Sequence, residues 1–460
     1  MNSNNEHIQK NIMGYEPIGK LIMKISLPLM ASMLIQALYN VVDSIFVAMV
    51  SETALTAVSL AFPIQNLLIA FSIGTGVGIN SYLARKLGEK DQKTAEDTAE
   101  VGLMLSIITW AVFAVLGFFG SRHFLSLFTS DPELLKLSTE YAVIVTVFSF
   151  GIFIDITIER IMQATGDSFH PMIIQMSGAI TNIILDPIFI FAFSLGVRGA
   201  AIATVIGQCV GAALALFFIR KNRFIHISLK NLRLERKLVG EIYRVGLPTI
   251  ITNAIGTFMV SALNSILISF SATAVSVFGV YFKLQSFVFM PVFGLNSGMV
   301  PIIAYNYGAR EKHRMLRTIK LGTVIAFSIM AAGFAVFQLL PSVLLGMFSA
   351  TEDMLRIGIP ALRIISLCFM PAAVSIALGS SFQATGAGWA SMIVSIARQI
   401  VILVPAAYLL RMLTGNVNAV WFSFPIAEVM GLIMSVIFFI YIYRTKISPL
   451  GMPIEADEDV

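Results

Sequence analysis

Long apolar runs, each closed by a cluster of charged or turn-forming residues, recur along nearly the whole chain. A bilayer-crossing helix needs about 20 apolar residues, and about twelve runs reach that length. In the first half they cover roughly 20–48, 54–82, 99–120, 139–163, 170–195 and 199–219. In the second half they cover roughly 241–268, 274–305, 319–340, 359–384, 391–411 and 418–443. The first run mimics a signal peptide, but it is too long and eleven more follow, so it is expected to stay uncleaved. The pattern predicts an all-α membrane protein.

The two halves repeat each other at an offset of 220 residues. Gln163-Ala164-Thr165-Gly166 returns as Gln383-Ala384-Thr385-Gly386, and Leu27-Pro28 returns as Leu247-Pro248. The same offset carries Gln65 onto Gln285, Gly74 and Gly78 onto Gly294 and Gly298, Gly88 onto Gly308, and Phe128 onto Phe348. Repeated halves in a bilayer are the usual build of a transporter, with the substrate path between them. The predicted organisation is a first lobe of six spans over 1–219, a linker over 220–240, a second six-span lobe over 241–443 and a tail over 444–460.

Composition agrees with lipid as the solvent. Hydrophobic residues are 57% and charged residues 12%, and mean hydropathy is +0.85, whereas a soluble chain carries about 25% charged residues. With both termini on the cytoplasmic side, the loops place twenty-two Lys and Arg inside, among them Lys10, Lys230 and Arg233, and five outside. That asymmetry fixes the expected orientation in a cytoplasmic membrane. It also accounts for the isoelectric point near 9.1 without nucleic acid, because basic loops rest against anionic headgroups. Cys209 and Cys368 fall inside spans, so no disulfide is expected. The acidic stretch 455–459 reads as a solvated end.

An ionisable group at bilayer depth costs about 2.5–3.5 kcal/mol on insertion scales, so each one calls for a reason. The first half carries Asp43, Asp155, Glu159 and Asp186, with Arg160 near a helix end. The second half carries Lys283, Arg363 and Arg398 with one acid, Glu428, a set that could form an ion-pair cluster. At 1.5 Å per residue, Asp43 lies about 35 Å along its span, Asp186 about 24 Å along its own, and Thr204 about 8 Å in from the outside. All three reach the outer half of the membrane. Asn182 and Asp186 are four apart and share a helix face, while Gln36, Asn40 and Asp43 form a polar stripe. Asp43, Asn182, Asp186 and Thr204 therefore make an oxygen-rich pocket suited to H⁺ or Na⁺. Pro187 frees the Ile183 carbonyl beside Asp186, and Pro28 can kink the first span. Asp155 and Glu159 lie nearer the inner end, as a second station or inner gate, or as groups that pair with Arg160 or reach cytoplasmic water.

Gly74-Thr75-Gly76-Val77-Gly78 is not a phosphate loop: no Gly-Lys-Ser/Thr follows, and the run lies inside a span. Close helix packing explains it and its repeat. No catalytic constellation or metal-ligand spacing appears, so neither an enzyme nor a bound cofactor is expected.

The paired Gln-Ala-Thr-Gly motifs, Asn182 to Pro187, Ala200-Ala201-Ile202-Ala203-Thr204, and Leu27-Pro28 followed by Asp43 together resemble the multidrug and toxic compound extrusion (MATE) family. The resemblance covers essentially the full length. It implies two six-helix lobes around a V-shaped cavity, and export of cationic or amphipathic drugs in exchange for H⁺ or Na⁺. It further implies a cation site at Asp43, Asn182, Asp186 and Thr204, a bending role for Pro28, and a functional role for Glu159. A branch of the family that uses acids in spans 7 and 10 is not matched, since those spans hold Asn264 and Arg363. Lipid-linked precursor flippases of the same superfamily are the alternative; their cationic cavity fits poorly with an acidic first lobe. The expected partners are small-molecule drugs and the bilayer, with no nucleic acid and a single chain as the working unit.

Overall fold

The computed structural model describes residues 11–228, 234–348 and 350–451. Lys10, Lys230, Arg233 and the acidic stretch 455–459 lie outside the described residues. Among those described, every regular element is helical. The first half runs through α1 (Ile12–Tyr15), α2 (Ile18–Val50), α3 (Glu52–Gly88), α4 (Gln92–Leu125), α5 (Pro132–Val147), α6 (Phe150–Ala164), α7 (Phe169–Pro187) and α8 (Val197–Ile219). The second half runs through α9 (Arg236–Leu267), α10 (Ala272–Gly308), α11 (Lys312–Leu339), α12 (Pro341–Gly346), α13 (Glu352–Ser366), α14 (Phe369–Ala384), α15 (Gly388–Ile396), α16 (Val404–Thr414), α17 (Val417–Val420) and α18 (Ser423–Ile442). Among the described residues, ten helical segments are long and apolar enough to cross a membrane singly, and two bent pairs, α5 with α6 and α13 with α14, bring the total to twelve.

The repeat in sequence is a repeat in boundary chemistry. Ser51 Oγ accepts from the Ala54 N–H at 2.9 Å to start α3, and Ser271 Oγ accepts from the Ala274 N–H at 3.1 Å to start α10. Asp131 caps α5 and Thr351 caps α13. Each Gln-Ala-Thr-Gly motif ends its helix on a glycine at positive φ, 91° at Gly166 and 70° at Gly386. A side chain is strained there, which is why both positions are glycine.

The bends also repeat. The axis turns by 46° between α5 and α6 and by 45° between α13 and α14, and neither break contains a proline. Polar side chains take over carbonyls that the helical ladder gives up. Trp110 Nε1 donates to the Val147 carbonyl (3.0 Å) and Ser149 Oγ to that of Thr146; Gln338 Nε2 (2.8 Å) and Ser366 Oγ (3.0 Å) both donate to that of Arg363. α2, by contrast, is continuous through Pro28. α7 stops at Pro187, and the chain continues as a π-helical turn over Ile188–Ala192, because the imide nitrogen breaks the normal ladder.

The lobes meet at the end that carries most of the basic residues. Gly88 lies against the Tyr305 carbonyl and Gly308 against the Arg85 carbonyl, a reciprocal pair under the 220-residue offset. Deeper in the seam Gly74 faces Ile250 and Gly294 faces Met30, again reciprocal. Arg85 pairs with Glu241 (3.1 Å), Ser81 Oγ donates to the Gln383 carbonyl (2.6 Å), and Asn66 Nδ2 donates to Thr257 Oγ1 (2.6 Å). α1 straps the seam. Asn11 Nδ2 donates to the Thr165 carbonyl (3.0 Å), while Arg314 Nη2 donates to the carbonyls of Met13 (2.9 Å) and Glu16 (2.8 Å).

Toward the opposite end the lobes part. On α10, Phe287, Lys283 and Ser276 stand 7, 11 and 18 residues before Gly294 and therefore on its helix face, yet all three are exposed. One face is thus packed against α2 at the basic end and open at the other, the signature of a cleft between lobes.

Candidate cation site in the first lobe

The site is built where α2, α7 and α8 converge. α7 and α8 approach closely because Gly178 and Gly207 face one another, and a methyl on Gly207 would also press on Asn182 Cβ at 3.3 Å. That approach brings Thr204 of α8 beside Asn182 of α7. Asn182, Asp186 and Thr204 are 2%, 0% and 4% exposed. With both ends of its carboxamide satisfied, Asn182 donates to Asp186 Oδ2 at 2.9 Å and accepts from the Thr204 backbone N–H at 3.0 Å. Thr204 Oγ1 donates to the Ala200 carbonyl at 2.9 Å, leaving its lone pairs for a further partner. Asp43 reaches across from α2, its carboxyl within hydrogen-bonding reach of that of Asp186. Asp43 Oδ1 is buried and has no hydrogen-bond partner of its own.

All four residues named from sequence therefore meet in one place. Two tyrosines join them. Tyr39, one turn before Asp43, lies beside Thr204 and both carboxyls. Tyr141 of α5 also faces the acids, and its hydroxyl lies 3.4 Å from Gln65 Oε1. Tyr39 sits at the same i, i+4 spacing that singled out Asn182 and Asp186; nothing in the sequence links Tyr141 to the site.

The polar stripe of α2 divides. Gln36 accepts from Gln175 Nε2 at 3.2 Å, one level inward. Asn40 is exposed. Asp155 and Glu159 stand apart from the acid pair. Asp155 packs on Gly211 of α8, and Glu159 lines a small inner cavity with Ser32, Gln163 and Gln175. The pairing with Arg160, one of the alternatives left open by the sequence, is not made: Arg160 Nη1 donates to Gln163 Oε1 at 3.1 Å instead. Asp155 Oδ1 and Glu159 Oε1 are buried without partners. In the second lobe the expected four-membered ion cluster reduces to Arg398 and Glu428 at 2.8 Å, because Lys283 and Arg363 are both exposed. Among the described residues, no group of three or more His, Cys, Asp and Glu is arranged to hold a metal ion.

The MatE family profile matches residues 28–188 and 248–409, once in each half. The multidrug export protein MepA of Staphylococcus haemolyticus is 27% identical over 433 residues, covering 94% of this chain and 95% of that protein. MepA of Staphylococcus saprophyticus is 26% identical over 433 residues, with the same coverage. Among solved structures, the outward-facing conformation of a multidrug resistance MATE family transporter superposes with a TM-score of 0.90 at 27% identity, covering 96% of this chain and 98% of that one. A MOP superfamily transporter from Pyrococcus furiosus, described as having reversed binding-pocket polarity, also superposes at 0.90, with 26% identity over 97% and 99% of the two chains. With the family profile matched in both halves and the helical plan shared along almost the whole length, the chain belongs to the MatE family of multi-pass membrane transporters.

Proposed function

We propose that this protein is a secondary active exporter of cationic and amphipathic drugs, exchanging each for H⁺ or Na⁺ at Asp43 and Asp186. The supporting observation is the juxtaposition of these two carboxyls within an apolar bundle. Two carboxylates at such range demand a compensating positive charge, and a proton or a small cation supplies it. Asn182 and Thr204 add neutral oxygens of the kind a hard cation takes. The relatives named as multidrug exporters support drugs as the cargo.

The basic end is the cytoplasmic side in this reading, so the seam closes the inward path and the cleft opens outward. Ion entry from outside neutralises the acids, α2 shifts about Pro28, and the cationic drug loses its counter-charge and leaves. The lobes then close outside and open inside, where the ion departs and a new drug enters. Coupling follows because holding drug and ion together would bury two positive charges at once. Pure protein in liposomes loaded with a fluorescent organic cation tests this. A pH gradient without sodium, or a sodium gradient without a pH step, should drive dye movement; failure of both overturns it.

A further inference from the structure

α1 is a single helical turn, Ile12–Tyr15, and a turn that short does not hold itself. Asn11 caps its start, its Oδ1 accepting from the Met13 N–H at 3.0 Å. The Met13 carbonyl would find its helical donor four residues on, but that residue is Pro17, which has no N–H. The second lobe supplies the donors instead. Asn306 Nδ2 of α10 donates to the Met13 carbonyl at 3.1 Å. Arg314 Nη2 of α11 donates to the same carbonyl at 2.9 Å and to that of Glu16 at 2.8 Å. Arg314 Nε also donates to Asn306 Oδ1 at 3.0 Å, so these two side chains brace each other.

The first lobe holds the other side. Asn11 Nδ2 donates to the Thr165 carbonyl at 3.0 Å, so the residue that caps α1 also anchors it. Ile12 and Met13 lie against Gly166, the positive-φ glycine just past α6. Gly14 lies against the ring of Tyr305, the residue whose carbonyl meets Gly88. Met13 is fully buried. α1 therefore completes its hydrogen bonds and covers Met13 only while both lobes stand together at the basic end. When they part, the Met13 carbonyl loses its donors or Asn11 loses its anchor, and a lone turn is too short to survive either loss.

We propose that α1 is a latch that folds onto the seam when the basic end closes and melts off when that end opens, so that its hold sets how often the cleft reaches the basic side. The inference rests on the alternating-access reading above in one respect, that the basic end opens. Release and melting are one event, because the donors that complete the turn belong to the lobe it must leave.

The test reads how often α1 undocks in the full chain. Met13→Cys, with Cys209→Ala and Cys368→Ala, supplies a thiol that a membrane-impermeant maleimide reaches only when the turn lifts. Arg314→Gln should speed labelling at least about tenfold, the loss expected for charged hydrogen bonds to two carbonyls. Asn11→Ala, which removes the cap and the first-lobe anchor without touching α11, should speed it as well. Arg317→Gln, at an exposed neighbour on α11, should leave the rate unchanged. Gly88→Ala should raise the rate by opening the seam itself. Labelling at the parent rate in both Arg314→Gln and Asn11→Ala overturns the latch. So does parent-rate labelling in a Gly88→Ala protein whose spin-label distances across the seam lengthen. The labelling needs neither drug nor ion, so its failure leaves the efflux reading standing, and failed transport beside the predicted labelling rates overturns that reading alone.

Discussion

Gly88→Ala tests whether the seam at the basic end sets the conformational equilibrium. A methyl built on Gly88 sits 2.8 Å from the carbonyl carbon of Tyr305 and 3.0 Å from the Ala309 nitrogen. Both are backbone atoms of α10 and its cap, so no side chain can swing aside. Overpacking of this kind costs about 1–3 kcal/mol, and it is paid only while the seam is shut. The helix-propensity gain of alanine over glycine, about 0.5–1 kcal/mol, is equal in both states and cancels. The ratio of closed to open basic ends should therefore fall by a factor of about 5–150. Spin labels on Lys93→Cys and His313→Cys, exposed positions near the starts of α4 and α11 related by the 220-residue offset, report the gap in a background lacking Cys209 and Cys368. Double electron–electron resonance should show a longer-distance population in Gly88→Ala that is minor in the parent. Gly308→Ala, which meets the Arg85 carbonyl carbon at 2.9 Å, should do the same. An unchanged distance distribution in both well-folded variants would refute a seam held by backbone contact.

Other consequences follow from single side chains. Asn182→Ala removes the donor to Asp186 Oδ2 and the acceptor for the Thr204 N–H; thermal unfolding should show a loss of about 1–3 kcal/mol, and ion-driven transport should fall with it. Arg398→Ala leaves the buried Glu428 carboxylate without its partner, and unfolding should show about 3–5 kcal/mol of destabilisation. The double variant Arg398→Ala with Glu428→Ala should recover part of that loss.

Much of this architecture is written in the sequence because the repeat duplicates local chemistry. The capping pairs Ser51 with Ser271 and Asp131 with Thr351, and the terminal glycines Gly166 and Gly386, act within a turn of where they stand. Periodicity and depth bring Asp43, Asn182, Asp186 and Thr204 to one level because a helix rises by a fixed amount per residue. Tertiary choices escape such reasoning. The bends after Val147 and Ser366 depend on donors from other helices, Trp110 and Gln338, with no local proline to announce them. Tyr141 joins the acids from α5 through packing alone. Arg160 turns to Gln163 and not to its acidic neighbour because side-chain direction, not adjacency, decides who meets.

The claim on which the rest depends is that Asp43 and Asp186 exchange drug for a coupling ion. Reconstituted Asp43→Asn and Asp186→Asn, each folded and inserted like the parent, should abolish gradient-driven efflux while the ion gradient stays intact. Undiminished gradient-driven efflux in both variants would contradict it.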